Sequence, residues 1–291
     1  MTDLDIQSPG AIADWIETSV LVSSSGHFGR DRLVELASEE IHVMPAAVGS
    51  ALGIMARRSV TLGENYPFAV NDLAVLRTTS ELEDYYTALL FLSPDSVARQ
   101  AIDGLPLKDM TELFEVIAET ALANLWGPGG EAITFGFPSR HGRPEAFDQA
   151  VIWLAEKIGL TPGMGYRPPY RKDGGVDVVA WRQFADRRPG FPIALAQCTI
   201  QREVFTKTTD IDLRLWASWL AMDFDPTSLL VIPGTVRSSG PDWQQLSTVV
   251  TVIERVRLIE LLARTPECPR ALPWALEIAG ILKDMLRSGE L

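Results

Sequence analysis

The chain is poor in the residues on which several classes of protein depend. Its 291 residues include only two cysteines and three histidines. The cysteines are far apart and form no Cys-x-x-Cys pair, which argues against a disulfide framework and against a zinc knuckle. His27, His42 and His141 lack the spacing of metal ligands. We therefore expect neither disulfides nor structural zinc.

Long apolar runs and the motifs of several enzyme classes are also missing. No apolar stretch reaches the ~18 residues that a membrane-spanning helix needs, and residues 1–10 are too acidic and polar for a signal peptide. The sequence GPGG at residues 127–130 lacks the Lys-Ser/Thr of a phosphate-binding P-loop. No Gly-x-Ser-x-Gly motif supports a serine hydrolase. We expect a cytoplasmic globular protein without a membrane partner.

Positive charge is scarce, and it is unevenly distributed. The net charge of -12 argues against a general nucleic-acid coat protein. Residues 131–215, however, carry twelve Lys/Arg against ten Asp/Glu, whereas the remainder carries fourteen against twenty-eight. The middle of the chain is therefore the part that repels a polyanion least. Random variation in composition is the alternative explanation.

The first third of the chain is predicted to be helical. Residues 11–22 and 31–44 carry apolar residues at i, i+3, i+4 spacing, and Ser80 is the predicted N-cap of another helix. Residues 63–76 are irregular or strand-like. We therefore predict an all-helical N-terminal region over residues 1–105 that regulates the protein or binds partners.

The rest of the chain alternates between helix and strand patterns. Continuous apolar runs rich in β-branched residues predict central strands, and amphipathic periodicity predicts the helices. The predicted strands cover residues 130–138, 176–181, 191–200 and 227–236, and the predicted helices cover 106–127, 147–160, 210–222, 243–264 and 271–289. This order indicates the α/β class, with a small mixed central sheet covered on both faces. We predict one domain over 106–240 and C-terminal helices over 241–291 that pack on it.

Two predicted strands carry polar residues to one edge of that sheet. Asp177 follows two glycines at the start of one strand, and Gln197 ends the next. In an antiparallel hairpin the start of one strand neighbours the end of the other, so the two side chains are expected to meet. A carboxylate, an amide oxygen and the carbonyl of Cys198 are hard oxygen ligands. The sequence therefore predicts a site for Mg²⁺ or Mn²⁺ at this edge.

Three segments around this site resemble the restriction-endonuclease-like PD-(D/E)XK nuclease superfamily, in particular its Mrr-like branch. They are LFEVIAETALANLWG, KDGGVDVVAW and PIALAQCTI, in the family's order, over about residues 110–210. The resemblance implies a restriction-endonuclease-like α/β sandwich and metal-dependent hydrolysis of DNA in restriction or anti-phage defence. It also implies that Glu115 orients the attacking water, that Asp177 is the principal metal ligand and that Gln197 occupies the family's Glu/Gln position.

The family's catalytic lysine is missing from its usual place. Thr199 stands two residues after Gln197, and a threonine cannot supply a positive charge. In some members of the superfamily the lysine lies on a neighbouring helix that points at the same metal. Here Lys207 is predicted to lie near the start of the next helix and to replace it. The alternative is that the site has decayed and that the domain only binds.

Two basic segments are predicted to contact nucleic acid. Tyr170, Arg171 and Lys172 lie on a Pro/Gly-rich loop just before the metal-site strand, where cations suit phosphates and rings suit bases. Arg187 and Arg188 are predicted to project from the tip of the hairpin. DNA is the expected substrate, with RNA as the alternative polymer. A purely structural loop is the alternative explanation for the first segment.

Each candidate residue also has a structural explanation. Glu115 can be a solvated helix residue, and Glu119 on the next turn competes with it for the role. Asp177 can cap a turn, Gln197 can bond only a neighbouring strand, and Lys207 can be a surface lysine.

The acidic remainder of the chain suggests that a partner grips the DNA, either an ATPase or helicase subunit or a second copy of this chain. Two other functions stay open from the sequence. One is a catalytically inactive module that assembles a defence or repair complex, and the other is an unrelated α/β hydrolase.

Overall fold

A computed structural model describes residues 8–78, 84–101, 107–168, 172–236, 241–263, 265 and 271–288. The chain divides into two compact units. The first comprises Met1–Met110, Pro233–Arg237 and Arg255–Leu291, and the second comprises Thr111–Ile232 and Ser238–Glu254. The second unit is therefore inserted in the sequence of the first.

The described residues form helices and strands in alternation. The helices are α1 (Pro9–Val22), α2 (Arg30–Glu40), α3 (Pro45–Leu62), α4 (Tyr85–Leu92), α5 (Val97–Ala101), α6 (Leu107–Leu122), α7 (Phe147–Ile158), α8 (Leu213–Trp219), α9 (Pro241–Ser247), α10 (Arg255–Leu262) and α11 (Ala271–Ser288). The strands are β1 (His27–Gly29), β2 (Phe68–Val70), β3 (Ala74–Arg77), β4 (Glu131–Thr134), β5 (Val178–Trp181), β6 (Ile193–Cys198), β7 (Thr227–Val231) and β8 (Thr251–Ile253). Within this described part of the chain, no helix combines the length and the apolar character needed to cross a membrane.

The N-terminal region is not all-helical, which corrects the sequence-based prediction. β1 and β2 both pair antiparallel with β3 in a three-stranded sheet. These strands have three or four residues, too few for a period-two pattern to stand out from the helical pattern around them. The helix predicted after Ser80 begins at Tyr85, where the Asp84 carboxylate accepts a hydrogen bond from the backbone of Thr87. Ser80 itself lies outside the described residues.

The core of the first unit contains four charged side chains, which we call the ionic cluster: Asp14 and Glu17 on α1, Arg58 on α3 and Arg255 on α10. Each is at most 4% exposed. Arg255 donates two hydrogen bonds to Asp14, of 3.0 and 2.7 Å. Arg58 donates to Asp14 at 2.8 Å and to Glu17 at 2.7 Å. Two carboxylates thus face two guanidinium groups, and the balance of charge and hydrogen bonds permits their burial.

Two tyrosines and a threonine complete the hydrogen bonds of the ionic cluster. The hydroxyls of Tyr66 and Tyr86 donate to Glu17 at 2.6 and 3.0 Å, and Arg58 donates to Thr235 at 3.0 Å. Burial raises the pKa of both tyrosines. Both hydroxyls therefore remain protonated donors at neutral pH.

The C-terminal helices belong to the first unit. α10 and α11 both contact α4 there. The predicted boundaries at residues 105 and 240 therefore differ from the observed division, in which the second unit ends at Glu254. The physical reason is the ionic cluster, since Arg255 at the start of α10 supplies a charge that the buried carboxylate of Asp14 needs.

The second unit is built on a five-stranded mixed sheet with the order β4-β5-β6-β7-β8. β5 pairs antiparallel with β4 and β6, whereas β7 pairs parallel with β6 and β8. Val178 on β5 lies opposite Thr134 on β4 and Ala196 on β6. The predicted α/β class and the small mixed central sheet are confirmed.

Both faces of this sheet are buried. α7 and α8 cover one face, where Leu154 and Trp216 belong to the same core as Val179 and Leu195. Side chains alternate between the faces of a strand. The residues that alternate with these on β5 and β6 are also fully buried: Val178, Ala180, Ala194 and Ala196.

The long helix predicted over residues 243–264 is wrong. The segment forms α9, then strand β8, then α10. Residues 248–253, TVVTVI, are all β-branched, and such residues favour a strand over a helix where a sheet edge is available. β8 pairs with the edge of β7.

Candidate functional site

Asp177 and Gln197 meet where β5 begins and β6 ends, as the antiparallel pairing predicts. Gln197 Nε2 donates to Asp177 Oδ2 at 2.8 Å. The backbone N–H of Cys198 donates to the same oxygen at 2.7 Å. One oxygen of the Asp177 carboxylate is thus fixed by two donors, which orients the other oxygen, Oδ1.

Glu115 on α6 brings a second carboxylate to this oxygen. The two groups face each other across Gly136, which follows β4. A Cβ atom at Gly136 would lie 3.4 Å from Asp177 Oδ1 and 3.4 Å from Glu115 Oε2. The two oxygens are therefore no more than twice that distance apart. We call Glu115 and Asp177 the carboxylate pair.

Glu119, the competitor on the next turn of α6, has other contacts. Its carboxylate accepts a hydrogen bond from the backbone of Thr134 at 3.2 Å and lies 3.3 Å from His141 Nε2. Glu115, by contrast, is 8% exposed and faces Asp177. The geometry therefore favours Glu115 as the helix carboxylate of the site.

The carboxylate pair carries more negative charge than its surroundings compensate. Burial raises the pKa of Asp177 well above its ordinary value, and the nearby charge of Glu115 raises it further. Burial likewise raises the pKa of Glu115 to about 7, with Glu112 and Asp173 adding to the effect and Arg140 opposing it. Such a pair either keeps a proton or binds a cation.

The oxygen donors of the site suit a hard divalent cation. Mg²⁺ is commonly held by one or two carboxylates together with water and substrate. In the described part of the chain, no three His, Cys, Asp or Glu side chains lie close enough to share a metal. A metal bound here would therefore rely on the carboxylate pair and on neutral oxygens, such as the carbonyl of Cys198 at the end of β6.

The neutral donors predicted beside the carboxylate pair are already hydrogen-bonded. Gln197 turns its Nε2 toward Asp177 and also donates to the carbonyl of Cys198 at 3.3 Å. Its amide must rotate before its oxygen can act as a ligand. The Cys198 thiol is buried, and burial, with Asp177 nearby, raises its pKa. The carbonyl of Cys198, rather than its sulfur, is therefore the candidate ligand.

Lys207 lies beside the site, but not on the helix that follows. It ends a 3-10 turn, Phe205–Lys207, whereas α8 begins only at Leu213. Its ammonium lies 3.3 Å from Asp210 Oδ2. Lys207 also lowers the pKa of Asp177, against the larger effect of burial, so its charge is felt at the carboxylate pair. The predicted position near the start of the next helix is wrong, and the predicted replacement of the missing lysine by Lys207 stays a prediction.

Thr199, which stands two residues after Gln197, has a structural role. Its backbone N–H donates to Val231 on the neighbouring strand at 3.0 Å. Its hydroxyl accepts a hydrogen bond from the backbone of Gln201 at 3.1 Å, and the residue is 4% exposed. Thr199 thus closes the end of β6 and directs no charge at the carboxylate pair.

The predicted nucleic-acid contacts fall in three places. Tyr170 and Arg171 lie outside the described residues. Lys172 is exposed, and its ammonium lies 5.9 Å from the centre of the Phe137 ring. Arg187 and Arg188 are exposed at the β5–β6 turn, which is the opposite end of the hairpin from Asp177. The length of β5, about 13 Å at ~3.3 Å per residue, separates these two arginines from the site.

Sequence reasoning missed Gly136 and Arg140. Both follow β4, and β4 pairs antiparallel with β5, so the end of β4 lies beside Asp177. Arg140 Nη2 lies 3.3 Å from Glu115 Oε2. In antiparallel strands the start of one strand lies beside the end of its neighbour, which is why Asp177 was expected to meet Gln197. The same reasoning applied to the strand at 131–134 places the residues that follow it, Gly136 and Arg140, beside Asp177.

Gly175 gives a direct test of the turn that positions Asp177. It has φ +81°, and a Cβ atom there would lie 2.1 Å from the carbonyl oxygen of Asp210. We expect Gly175→Ala to lower the free energy of unfolding by more than the ~1–2 kcal/mol of a left-handed alanine, because the Lys207–Asp210 segment must also move. Urea-induced unfolding measures the change.

Gly190→Ala is the matched control for this variant. Gly190 has φ +84°, but the nearest atom to its Cβ position lies 3.9 Å away. The control therefore carries the backbone strain without the collision. Equal losses in the two variants would show that the contact between Gly175 and Asp210 has no energetic importance.

Comparison of the chain with protein-family models, with curated proteins and with solved structures finds no match.

Proposed function

We propose that the protein is a metal-dependent nuclease that hydrolyses phosphodiester bonds of DNA. The observation that carries the proposal is the carboxylate pair, two acidic side chains that face each other across Gly136 with their pKa values raised. A small mixed sheet preceded by the helix that carries Glu115 supports the restriction-endonuclease-like fold that the motifs imply. A divalent cation is the ligand that such a pair attracts most strongly.

In the proposed site, Asp177, Glu115 and the carbonyl of Cys198 would hold the metal, and Gln197 would join them only by rotating its amide and giving up its hydrogen bond to Asp177. The metal, when bound, polarises the phosphate and makes water more acidic. Gln197 and the backbone of Cys198 keep the carboxylate of Asp177 oriented through hydrogen bonds of 2.8 and 2.7 Å. Gly136 keeps the space between the carboxylates open.

Glu115 is the proposed acceptor of the water proton. A base works best when its pKa lies near the working pH. Burial raises the pKa of Glu115 to about 7 in the metal-free protein, and a bound cation would lower it. The water oxygen bonds to phosphorus, one bridging P–O bond breaks, Glu115 takes the water proton, and the leaving oxygen takes a proton from solvent. The products are a phosphate monoester and an alcohol.

The sequence assigns the cation near the developing charge to Lys207, whose charge already acts on Asp177. The strongly acidic composition supports a partner that grips the DNA, either an ATPase or helicase subunit or a second copy of this chain. We place the activity in restriction or anti-phage defence in the cytoplasm, on the resemblance alone.

Plasmid cleavage in Mg²⁺ or Mn²⁺ tests the proposal. We expect Asp177→Ala and Asp177→Asn to reduce cleavage on the order of 1,000-fold, since losing a principal ligand removes about 4 kcal/mol of transition-state stabilisation. Mn²⁺ binding, measured by calorimetry, should weaken in the same variants. Lys207→Ala should reduce cleavage while Mn²⁺ still binds.

Asp186→Ala, an exposed aspartate at the far end of the same hairpin, is the control and should cleave like the wild type. A wild type that neither binds Mn²⁺ nor cleaves, even with its partner present, would leave the inactive binding module as the function. Full cleavage by Lys207→Ala would remove only the role of Lys207.

A further inference from the structure

The loop after β4 points a guanidinium group at the carboxylate pair. Arg140 Nη2 lies 3.3 Å from Glu115 Oε2 and 3.7 Å from Glu112 Oε2. Its Nη1 donates to the backbone carbonyl of Glu112 at 3.1 Å. The guanidinium group of Arg140 therefore lies against the side of α6 that faces the site. Its Nη2 lies next to Glu115, the proposed acceptor of the water proton.

The Nη2 atom of Arg140 has N–H donors that make no hydrogen bond within the described residues. Nη2 of Arg140 is buried, and within the described residues it makes no hydrogen bond, although it lies within ion-pair distance of Glu115. A buried donor without an acceptor is costly and uncommon. A guanidinium group presents planar pairs of N–H donors that match the oxygens of a phosphate. A phosphate at the carboxylate pair would supply the missing acceptor.

The loop that carries Arg140 is anchored by the contacts of a second arginine, Arg143. Arg143, which is 3% exposed, donates to Ser139 Oγ at 3.1 Å and to the carbonyl of Pro144 at 3.0 Å. Its guanidinium also lies 4.4 Å from the centre of the Phe135 ring. Anchoring of this kind fixes the position of Arg140 before a ligand binds, which favours tight recognition.

Lys207 is less available for the same task. Its ammonium is paired with Asp210 at 3.3 Å, and Asp210 packs directly on Gly175. A phosphate that bound Lys207 would share its ammonium with Asp210. Arg140 is also in an ion pair, with Glu115 at 3.3 Å, but its buried Nη2 makes no hydrogen bond within the described residues, whereas Nη1 keeps its bond to the backbone.

We infer that Arg140 is a catalytic residue that binds the scissile phosphate and supplies the positive charge missing at Thr199. The inference rests on the proposed nuclease function. It assigns the positive charge of the site to Arg140 in the loop after β4, in place of Lys207 in the segment after β6.

Phosphate binding to the Mn²⁺-loaded full chain tests this assignment without turnover. Calorimetry with inorganic phosphate should show a Kd raised at least about 10-fold in Arg140→Gln, since a charge-assisted hydrogen bond is lost. Arg140→Lys should recover part of the affinity. The affinity for Mn²⁺ itself should stay the same or rise in Arg140→Gln, because a cation that competes for Glu115 is gone. A misfolded variant would lose both affinities together.

Arg214→Gln, an exposed arginine on α8, is the control for the lost charge and should bind phosphate like the wild type. The inference is overturned if Arg140→Gln binds phosphate normally, if an Arg140→Gln protein with the circular dichroism spectrum of the wild type loses Mn²⁺ and phosphate in parallel, or if Lys207→Gln weakens phosphate binding and Arg140→Gln does not. Absence of Mn²⁺ binding by the wild type would instead overturn the proposed function, and this inference with it.

Discussion

Arg58→Met should lower the free energy of unfolding of the first unit by roughly 3–5 kcal/mol. Methionine fills much of the volume of arginine but leaves Asp14 and Glu17 with a single guanidinium, that of Arg255, in a buried core. The hydrogen bonds of 2.8 and 2.7 Å from Arg58 to these carboxylates are lost at the same time. Urea-induced unfolding, followed by circular dichroism, measures the difference.

Arg57→Met is the matched control, since Arg57 is the preceding residue on α3 and is exposed. It should change the free energy of unfolding by less than ~0.5 kcal/mol. The loss in Arg58→Met should also shrink as the pH falls toward ~4, where a carboxylate can take a proton in place of its lost partner. Similar losses in both variants would contradict a structural role for the ionic cluster.

Glu115→Gln should stabilise the metal-free protein at pH 8 by roughly 3 kcal/mol. Burial, helped by the neighbouring acids, raises the pKa of Glu115 from 4.5 to about 7. Between these values the unfolded chain releases the proton that the folded chain keeps, so wild-type stability should fall as the pH rises through this window. The difference in pKa, at ~1.4 kcal/mol for each tenfold change, sets the size of the effect. Glutamine has no charge to bury and should remove the part of this pH dependence that comes from Glu115, whereas the raised pKa of Asp177 leaves a part of its own.

Unfolding midpoints measured from pH 4 to 8 separate the effect of the raised pKa of Glu115 from the effect of replacing any glutamate by glutamine. Glu156→Gln on α7, an exposed position, should leave both the stability and its pH dependence unchanged. Mn²⁺ should raise the stability of the wild type at pH 8, because a ligand that binds the folded state stabilises it, and should raise that of Glu115→Gln much less. A wild type whose stability does not fall between pH 5 and 7 would contradict the raised pKa of Glu115.

The elements that the sequence predicted correctly are those with strong local patterns. The apolar stripe of α7 and the glycine that ends it predict a helix that stops at Gly159, and Gly159 indeed has φ 74°. β5 and β6 are continuous apolar runs, and their pairing brings Asp177 to Gln197 as expected. Local periodicity and strand order suffice for these features.

The features that the sequence did not predict depend on partners far along the chain. β8 becomes a strand because the edge of β7 is there to pair with it. Arg255 joins Asp14 across 241 residues of sequence, and no local pattern indicates that contact. Arg140 was missed because a basic residue in a loop carries no periodicity, and its position follows only from the place of β4 beside β5.

The insertion of one unit in the sequence of the other has a consequence for synthesis on the ribosome. The segment Thr111–Ile232 carries β4 to β7 in one continuous stretch and emerges before Arg255 is translated. Asp14, by contrast, is translated early, and its carboxylate lacks the charge of Arg255 until that residue has been translated. The nascent N-terminal segment therefore lacks one charge of its core until Arg255 is made, whereas β4 to β7 are all translated before that residue.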